Sequence, residues 1–96
     1  MDNDSTVFEN AASAVNAIDI QYRLADFNDK KKLKKPRDAV FYVYSMTRLE
    51  LLEEGIICTS DDVEAMQEIR QEIEEAADTQ TLLKEIPRLI SFLIGI

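Results

Sequence analysis

Apolar residues recur along this chain at alternating intervals of three and four, and very few helix-breaking residues interrupt them. In the first such segment the recurring positions are Phe8, Ala11, Val15, Ile18, Tyr22 and Ala25. This spacing places the side chains on one face of an α-helix. The 96 residues include two glycines and two prolines, too few for the many tight turns of an all-β fold. The chain is therefore predicted to be all-α.

Capping signals predict where the first two helices begin and end. Thr6 and Glu9 match a capping box, in which the hydroxyl and the carboxylate satisfy backbone amides, and Asn28–Asp29 favours a helix end. Pro36 suits the first turn of the next helix, and Gly55 stands where a C-terminal glycine cap is expected. The predicted helices are residues 6–28 and 36–54, joined by a basic linker at about 29–36.

The second half of the chain has the same organisation. Any residue of 59–61 can cap a helix at 61–77, and Asp78–Thr79 can cap a last helix at 80–94. The third helix has its own apolar stripe: Val63, Met66, Ile69, Ile73 and Ala76. Four amphipathic helices with short connections predict a single helical domain over residues 1–96, folded as a small antiparallel bundle of about four helices.

The chain ends in an apolar segment, Leu82–Ile96, although the protein has a formal net charge of −8. Three interpretations are open: a core helix, a core helix that also contributes to a homodimer or partner interface, and a membrane anchor. Spanning a bilayer takes roughly 20 apolar residues, so this shorter segment is not predicted to span one. Because Pro87 lacks a backbone donor, the last helix is predicted to be kinked or restarted there.

Acidic residues are concentrated in the third predicted helix. Residues 61–80 carry eight acids and one base, and Glu64, Glu68, Glu72 and Glu75 fall on one face. This face is either a solvated surface or a docking strip for a basic partner, in the manner of a nucleic-acid mimic. Glu72 and Glu75 could both reach one cation, but metal sites in helical bundles usually add histidines, which the chain lacks. No metal site is predicted.

Basic residues are concentrated in residues 30–37, which carry six bases and no acid: Lys30, Lys31, Lys32, Lys34, Lys35 and Arg37. The bases complement the C-terminal dipole of the first helix in a soluble linker, contact an anion such as nucleic acid or an anionic membrane, or form a localisation signal. No aromatic residue is interleaved among them to stack on bases, so nucleic acid is an unfavoured partner.

The residue types do not favour catalysis. The chain has no histidine, the commonest general base, and no recognisable nucleophile–base pair or phosphate-binding loop. The protein is therefore predicted not to be an enzyme and to have no cofactor. Its single cysteine, Cys58, and the absence of a signal-peptide pattern at the N-terminus favour a cytoplasmic location.

The sequence thus predicts a non-catalytic protein–protein interaction module. In this hypothesis the protein is an adaptor, regulator or inhibitor that binds another protein, with a basic protein as one option. It also forms a homo-oligomer, with a dimer as the first expectation. The alternatives are a nucleic-acid-associated regulator that uses residues 30–37 and an acidic nucleic-acid mimic that uses the third helix. Besides the four glutamates, the predicted partner-binding residues come from the apolar second and fourth helices: Tyr42, Tyr44, Leu89, Phe92, Leu93 and Ile96.

Overall fold

Four α-helices make up the molecule, and the all-α bundle is confirmed. The computed structural model describes residues 2–96; Met1, the first residue of the predicted domain, lies outside them. The helices are α1 (Asn3–Leu24), α2 (Phe27–Glu54), α3 (Ser60–Glu74) and α4 (Thr79–Gly95), with no strand among these residues. The molecule measures 40 × 23 × 18 Å. With 28 residues at about 1.5 Å each, α2 extends along the whole long dimension of the molecule.

The helices stand at four corners, in the order α1, α2, α4, α3. Helix α1 packs against α2 and α3, α4 packs against the same two helices, and α2 and α3 lie across a diagonal. Contacts of Asp19 with Arg37 and of Phe8 with Tyr44 show that α1 and α2 form an antiparallel hairpin. The second hairpin consists of α3 and α4.

The two hairpins pack with equivalent helices parallel. Asn3 Nδ2 donates to the Cys58 carbonyl at 3.3 Å, and Gln21 Nε2 donates to the Ile73 carbonyl at 3.0 Å. Both ends of α1 therefore lie beside the corresponding ends of α3. The start of α2 shares a groove with Thr79 at the start of α4, and its later residues share another with Leu93 and Ile94, so α2 and α4 also run parallel.

Side-chain caps explain where the helices begin. Asp2, Asp26 and Asp78 each accept a hydrogen bond from a backbone amide three residues later, at 2.8 Å. Thr59 and Asp62 form a reciprocal capping box at the start of α3. The predicted box at Thr6 is wrong, because Asp2 starts the helix earlier. Hydrogen bonds from the first-turn amides lower the pKa of Asp2 and of Asp78 below the usual value for an aspartate.

The predicted basic linker at 29–36 is also wrong, because these residues belong to α2. The break between the first two helices lies at Ala25, whose backbone is extended, and Asp26 then caps α2. Leu33 is buried among the lysines and continues the apolar stripe of α2 back toward its start. Pro36 lies inside the helix and removes one backbone hydrogen bond without ending it.

The predicted glycine cap at Gly55 is confirmed: Gly55 ends α2 with a φ of 75°. The predicted end of the third helix at residue 77 is too late, because Glu75 terminates α3 and the Ala76 amide donates to the Ile73 carbonyl. Helix α4 runs unbroken through Pro87, so it does not restart there.

The apolar C-terminal segment is mainly a core element. Leu82, Ile86, Leu89 and Leu93 are each at most 1% exposed and pack with the inward stripes of the other helices. A helix that is apolar over most of its circumference is expected to be buried in this way. Ile94, which is 69% exposed, is the exception in this segment. Within residues 2–96, none of the helices combines the length and the apolar character that crossing a bilayer requires.

Candidate functional site

Helix α2 carries apolar side chains on two opposite sides. Its inward positions Leu33, Val40 and Thr47 are buried. About half a turn away around the helix, four solvent-exposed residues recur at intervals of three, four and three: Ala39, Tyr42, Met46 and Leu49. We refer to these four residues as the α2 outer stripe. Their spacing is that of the seam along which two helices pair side by side.

The α2 outer stripe is strongly exposed. Tyr42 is 68% exposed, Met46 41% and Leu49 45%. Tyr42 and Met46 line a shallow groove between α2 and α4, together with Ile94. Exposed Phe41 and Leu52 border the stripe on the side of α1. Contiguous exposed apolar surface is a feature of interaction sites, whereas apolar residues scattered singly over a surface are normal.

Charges of opposite sign flank the α2 outer stripe along the helix. Four exposed lysines precede it, Lys31, Lys32, Lys34 and Lys35, and three exposed glutamates follow it, Glu50, Glu53 and Glu54. Among these seven residues, Lys34 alone forms an ion pair within residues 2–96, with Asp38 at 3.1 Å. Along its outer side, α2 thus begins with a basic segment, continues with the apolar stripe and ends with an acidic segment.

Arg88 neutralises part of the predicted acidic strip. The strip residues Glu64, Glu68 and Glu72 do share one face of α3, and Glu75 follows at its end. Arg88 of α4, however, lies 3.2 Å from Glu68 and also pairs with Glu72. Burial disfavours the charged guanidinium, yet the hydrogen bond with Glu68 and the charge of Glu72 outweigh it and raise the pKa of Arg88. Glu64 and Glu75 remain exposed, and Glu75 accepts a hydrogen bond from Gln71 at 3.3 Å.

Most of the predicted apolar partner-binding residues lie inside the chain's own fold. Leu89 and Leu93 belong to the inward stripe of α4 and are buried, so their assignment as partner-binding residues is wrong. Phe92 and Ile96 are partly buried against the core, and Tyr44 packs with its ring centroid 6.5 Å from that of Phe8. Of the six predicted residues, Tyr42 is the one that is largely exposed. Sequence reasoning did not single out Met46, Leu49 and Ile94, which are exposed apolar residues of the same region.

The six bases predicted to contact an anion differ in their surroundings: Arg37 forms contacts within the fold, whereas most of the lysines are exposed. Arg37 pairs with Asp19 and Asp38, and its guanidinium lies 4.6 Å from the ring centroid of Tyr22. Arg37 therefore joins α1 to α2 and is not a free anion contact. Lys30 is half-buried, whereas the other four lysines of the segment project into solvent.

A polar groove between α1 and α3 is lined by side chains that hydrogen-bond with one another. Asn10 Oδ1 accepts from Arg70 Nη1 at 2.8 Å, Asn10 Nδ2 donates to the Thr6 carbonyl at 2.9 Å, and Arg70 also pairs with Glu74. Across residues 2–96, no three carboxylate or thiol side chains are placed to share a metal ion. Glu72, one of the two carboxylates considered for a cation, is held by Arg88.

Comparison with protein-family models, curated proteins and solved structures finds no match to this chain. The outer side of α2 is consequently the feature from which a function can be inferred. It joins exposed apolar residues at a helix-pairing spacing with charged groups that have few partners inside the molecule.

Proposed function

We propose that the protein is a non-catalytic protein–protein interaction module of the cytoplasm that associates with itself and acts by binding protein. The α2 outer stripe is the observation that carries this proposal. Residues on the opposite side of the same helix supply the core, so the fold of the single chain leaves much of the outer stripe uncovered. Covering apolar surface contributes about 25 cal/mol per Å² removed from water, from which the entropic cost of association is subtracted.

Light scattering over a concentration series, combined with two matched variants, tests the proposal. Leu49→Glu places a charge in the α2 outer stripe, and Ile20→Glu makes the same change on α1. Leu49 is 45% exposed and Ile20 is 48% exposed, so the two substitutions should disturb folding to a similar extent. We expect the unaltered chain and Ile20→Glu to form a dimer or larger species, and Leu49→Glu to be monomeric with an unchanged circular dichroism spectrum.

Two results would count against this proposal. A mass that stays monomeric at every concentration of the unaltered chain would remove self-association. An equal loss of association in Leu49→Glu and Ile20→Glu would show that the effect does not arise from the α2 outer stripe.

The exposed lysines support a second candidate function, contact with nucleic acid. Lys31 and Lys35 are separated by one helical turn and lie on the same face of α2, and neither forms an ion pair within residues 2–96. Fluorescence anisotropy with a labelled oligonucleotide at low and high salt tests this function. Phosphate-driven binding is strongest at low salt, so absence of binding there would exclude it.

A further inference from the structure

The distribution of charge along α2 identifies the chemistry that fits its outer stripe. If α2 of a second copy covered the stripe and ran parallel to it, lysines would lie against lysines and glutamates against glutamates. Like charges held opposite each other destabilise a helix pair. An antiparallel helix of the same sequence instead places the basic segment of each copy against the acidic segment of the other.

We infer that the α2 outer stripe binds the α2 outer stripe of a second copy, in an antiparallel pair related by a two-fold axis. This inference rests on the proposed function and specifies its partner and geometry. Two-fold symmetry uses the same patch on both subunits, so the patch must be self-complementary. The outer side of α2 meets that requirement in charge and in apolar pattern.

The register of the pair follows from the sequence positions. In an antiparallel helix pair, residues equally distant from a central position face each other across the seam. Taking residue 44 as the centre opposes Tyr42 to Met46 of the second copy and Ala39 to Leu49 of the second copy. The next layer opposes Lys35 to Glu53 of the second copy. Each of these three seam layers therefore combines compatible side chains, and two-fold symmetry makes each occur twice.

The central layers also have suitable shapes. Methionine makes favourable sulfur contacts with aromatic rings, which suits Met46 beside Tyr42 of the second copy. Ala39 is small and leaves room for the larger Leu49. Ile94 of α4 lies next to Tyr42 and Met46 in the same groove and would be partly covered at the edge of the pair.

Directional cross-linking tests the antiparallel register. Cys58→Ser removes the natural thiol, and Lys35→Cys or Glu53→Cys is then introduced into that background. With a short bis-maleimide reagent, we expect a mixture of the Lys35→Cys and Glu53→Cys chains to form covalent dimers, and each chain alone to form few. Gln67→Cys, at an exposed position on α3, controls for random collision.

The possible outcomes separate this inference from the proposed function. Efficient cross-linking of Lys35→Cys with itself would indicate a parallel pair and overturn the inference, although the chain would still self-associate. Light scattering could show a dimer while every combination of Lys35→Cys and Glu53→Cys cross-links no more than the Gln67→Cys control. That result would show that the α2 outer stripe is not the interface. A monomeric chain would overturn both.

A charge-exchange experiment in the chain with its natural cysteine provides an independent test. Lys35→Glu and Glu53→Lys each oppose like charges twice per dimer, so we expect either substitution to raise the dimer dissociation constant about fivefold or more. Lys35→Glu combined with Glu53→Lys restores opposite charges and should return the constant close to its original value. Additive weakening in the double variant would contradict the antiparallel pairing.

Discussion

Arg37 Nη2 lies 3.0 Å from Asp19 Oδ1, and this contact ties α2 to α1. Asp19 is 8% exposed and also pairs with Arg23 at 3.0 Å. The guanidinium of Arg37 is further covered by two aromatic rings, at 4.6 Å from the centroid of Tyr22 and 5.2 Å from that of Phe41. Burial opposes the charge on Arg37, yet the hydrogen bond with Asp19 and the charge of that carboxylate raise its pKa.

We expect Arg37→Ala to lower the free energy of unfolding by about 1–3 kcal/mol, because a nearly buried carboxylate loses a charged hydrogen-bond donor. Arg37→Lys should recover only part of the loss, since lysine keeps the charge but lacks the planar fork and the aromatic stacking. Urea denaturation followed by circular dichroism measures both. Equal stability of Arg37→Ala and the unaltered chain would show that Arg23 alone satisfies Asp19.

The contacts of Arg88 predict a graded response to substitution. Glu85, which is 6% exposed, lies 3.3 Å from Arg88, whereas Glu68 is largely exposed. Arg88→Ala should therefore lower the free energy of unfolding by about 1–3 kcal/mol, because it leaves a buried carboxylate with a weaker set of partners. Glu68→Lys should cost less than about 1 kcal/mol, the usual range for exposed ion pairs.

The same denaturation series contains its own controls. Glu85→Gln in the Arg88→Ala background should restore part of the lost stability, because it removes the uncompensated charge. Glu64→Lys changes an exposed residue of the same face and should shift stability by no more than about 0.5 kcal/mol. A large loss in Glu64→Lys would mean that the whole face, and not the Arg88 cluster, stabilises the bundle.

The Cys58 thiol predicts a loss of stability in alkaline solution. Burial, followed by the carboxylates of Asp4, Asp62 and Asp2, raises the pKa of Cys58 from 9.0 to about 11. Folding thus favours the neutral thiol. Its contribution is intact below about pH 9 and is lost as the pH rises toward 11.

Parallel urea titrations of the unaltered chain and Cys58→Ser isolate this effect. Lysines and tyrosines titrate alike in both chains, so they cancel in the comparison. The difference between the two free energies of unfolding should be constant from pH 6 to about pH 9 and should then shrink as Cys58 ionises. The thiol should also react slowly with a disulfide reagent near pH 8, because little thiolate is present. Rapid labelling of the folded chain at that pH would contradict the burial of Cys58.

The two glycines should respond to alanine in opposite ways. Gly55 has a φ of 75°, which a residue with a Cβ rarely adopts, although no atom lies within 4 Å of the added methyl group. Gly55→Ala should therefore cost roughly 1–3 kcal/mol through backbone strain alone. Gly95 lies at the end of α4 without a positive φ and with equal space around it, so Gly95→Ala should be neutral or slightly stabilising. Thermal unfolding compares the two.

The helices and their core faces could be predicted from sequence because these depend on local pattern. The stripe from Phe8 to Ile18 is buried, and so are Met66, Ile69 and Ile73 of α3. The break at Ala25–Asp26 could not be placed in this way, because Tyr22 and Ala25 continue the apolar spacing right up to it. The single buried Leu33 among lysines was too weak a signal to show that α2 starts at Phe27.

The candidate site was harder to predict because it depends on which sides of α2 its neighbours cover. Residues Val40–Tyr44 are apolar all round the helix, so sequence spacing fits an inward stripe and an outward stripe equally well. Once α1 and α4 occupy one side, Val40 is buried and Tyr42 is exposed. The same packing takes Leu89 and Leu93 out of reach of a partner, although they looked as available as Ile94 in the sequence.

The parallel packing of the two hairpins has a consequence for the integrity of the chain. The residues between α2 and α3 cross from one corner of the bundle to the opposite corner, and Ile57 among them is 91% exposed. Packing between the hairpins, of α1 on α3 and of α2 on α4, is more extensive than packing within them, so each hairpin completes its core against the other. A polypeptide cut at Ile57 should therefore remain assembled as two complementary fragments, whereas either fragment alone should lack the partner surface it needs to fold.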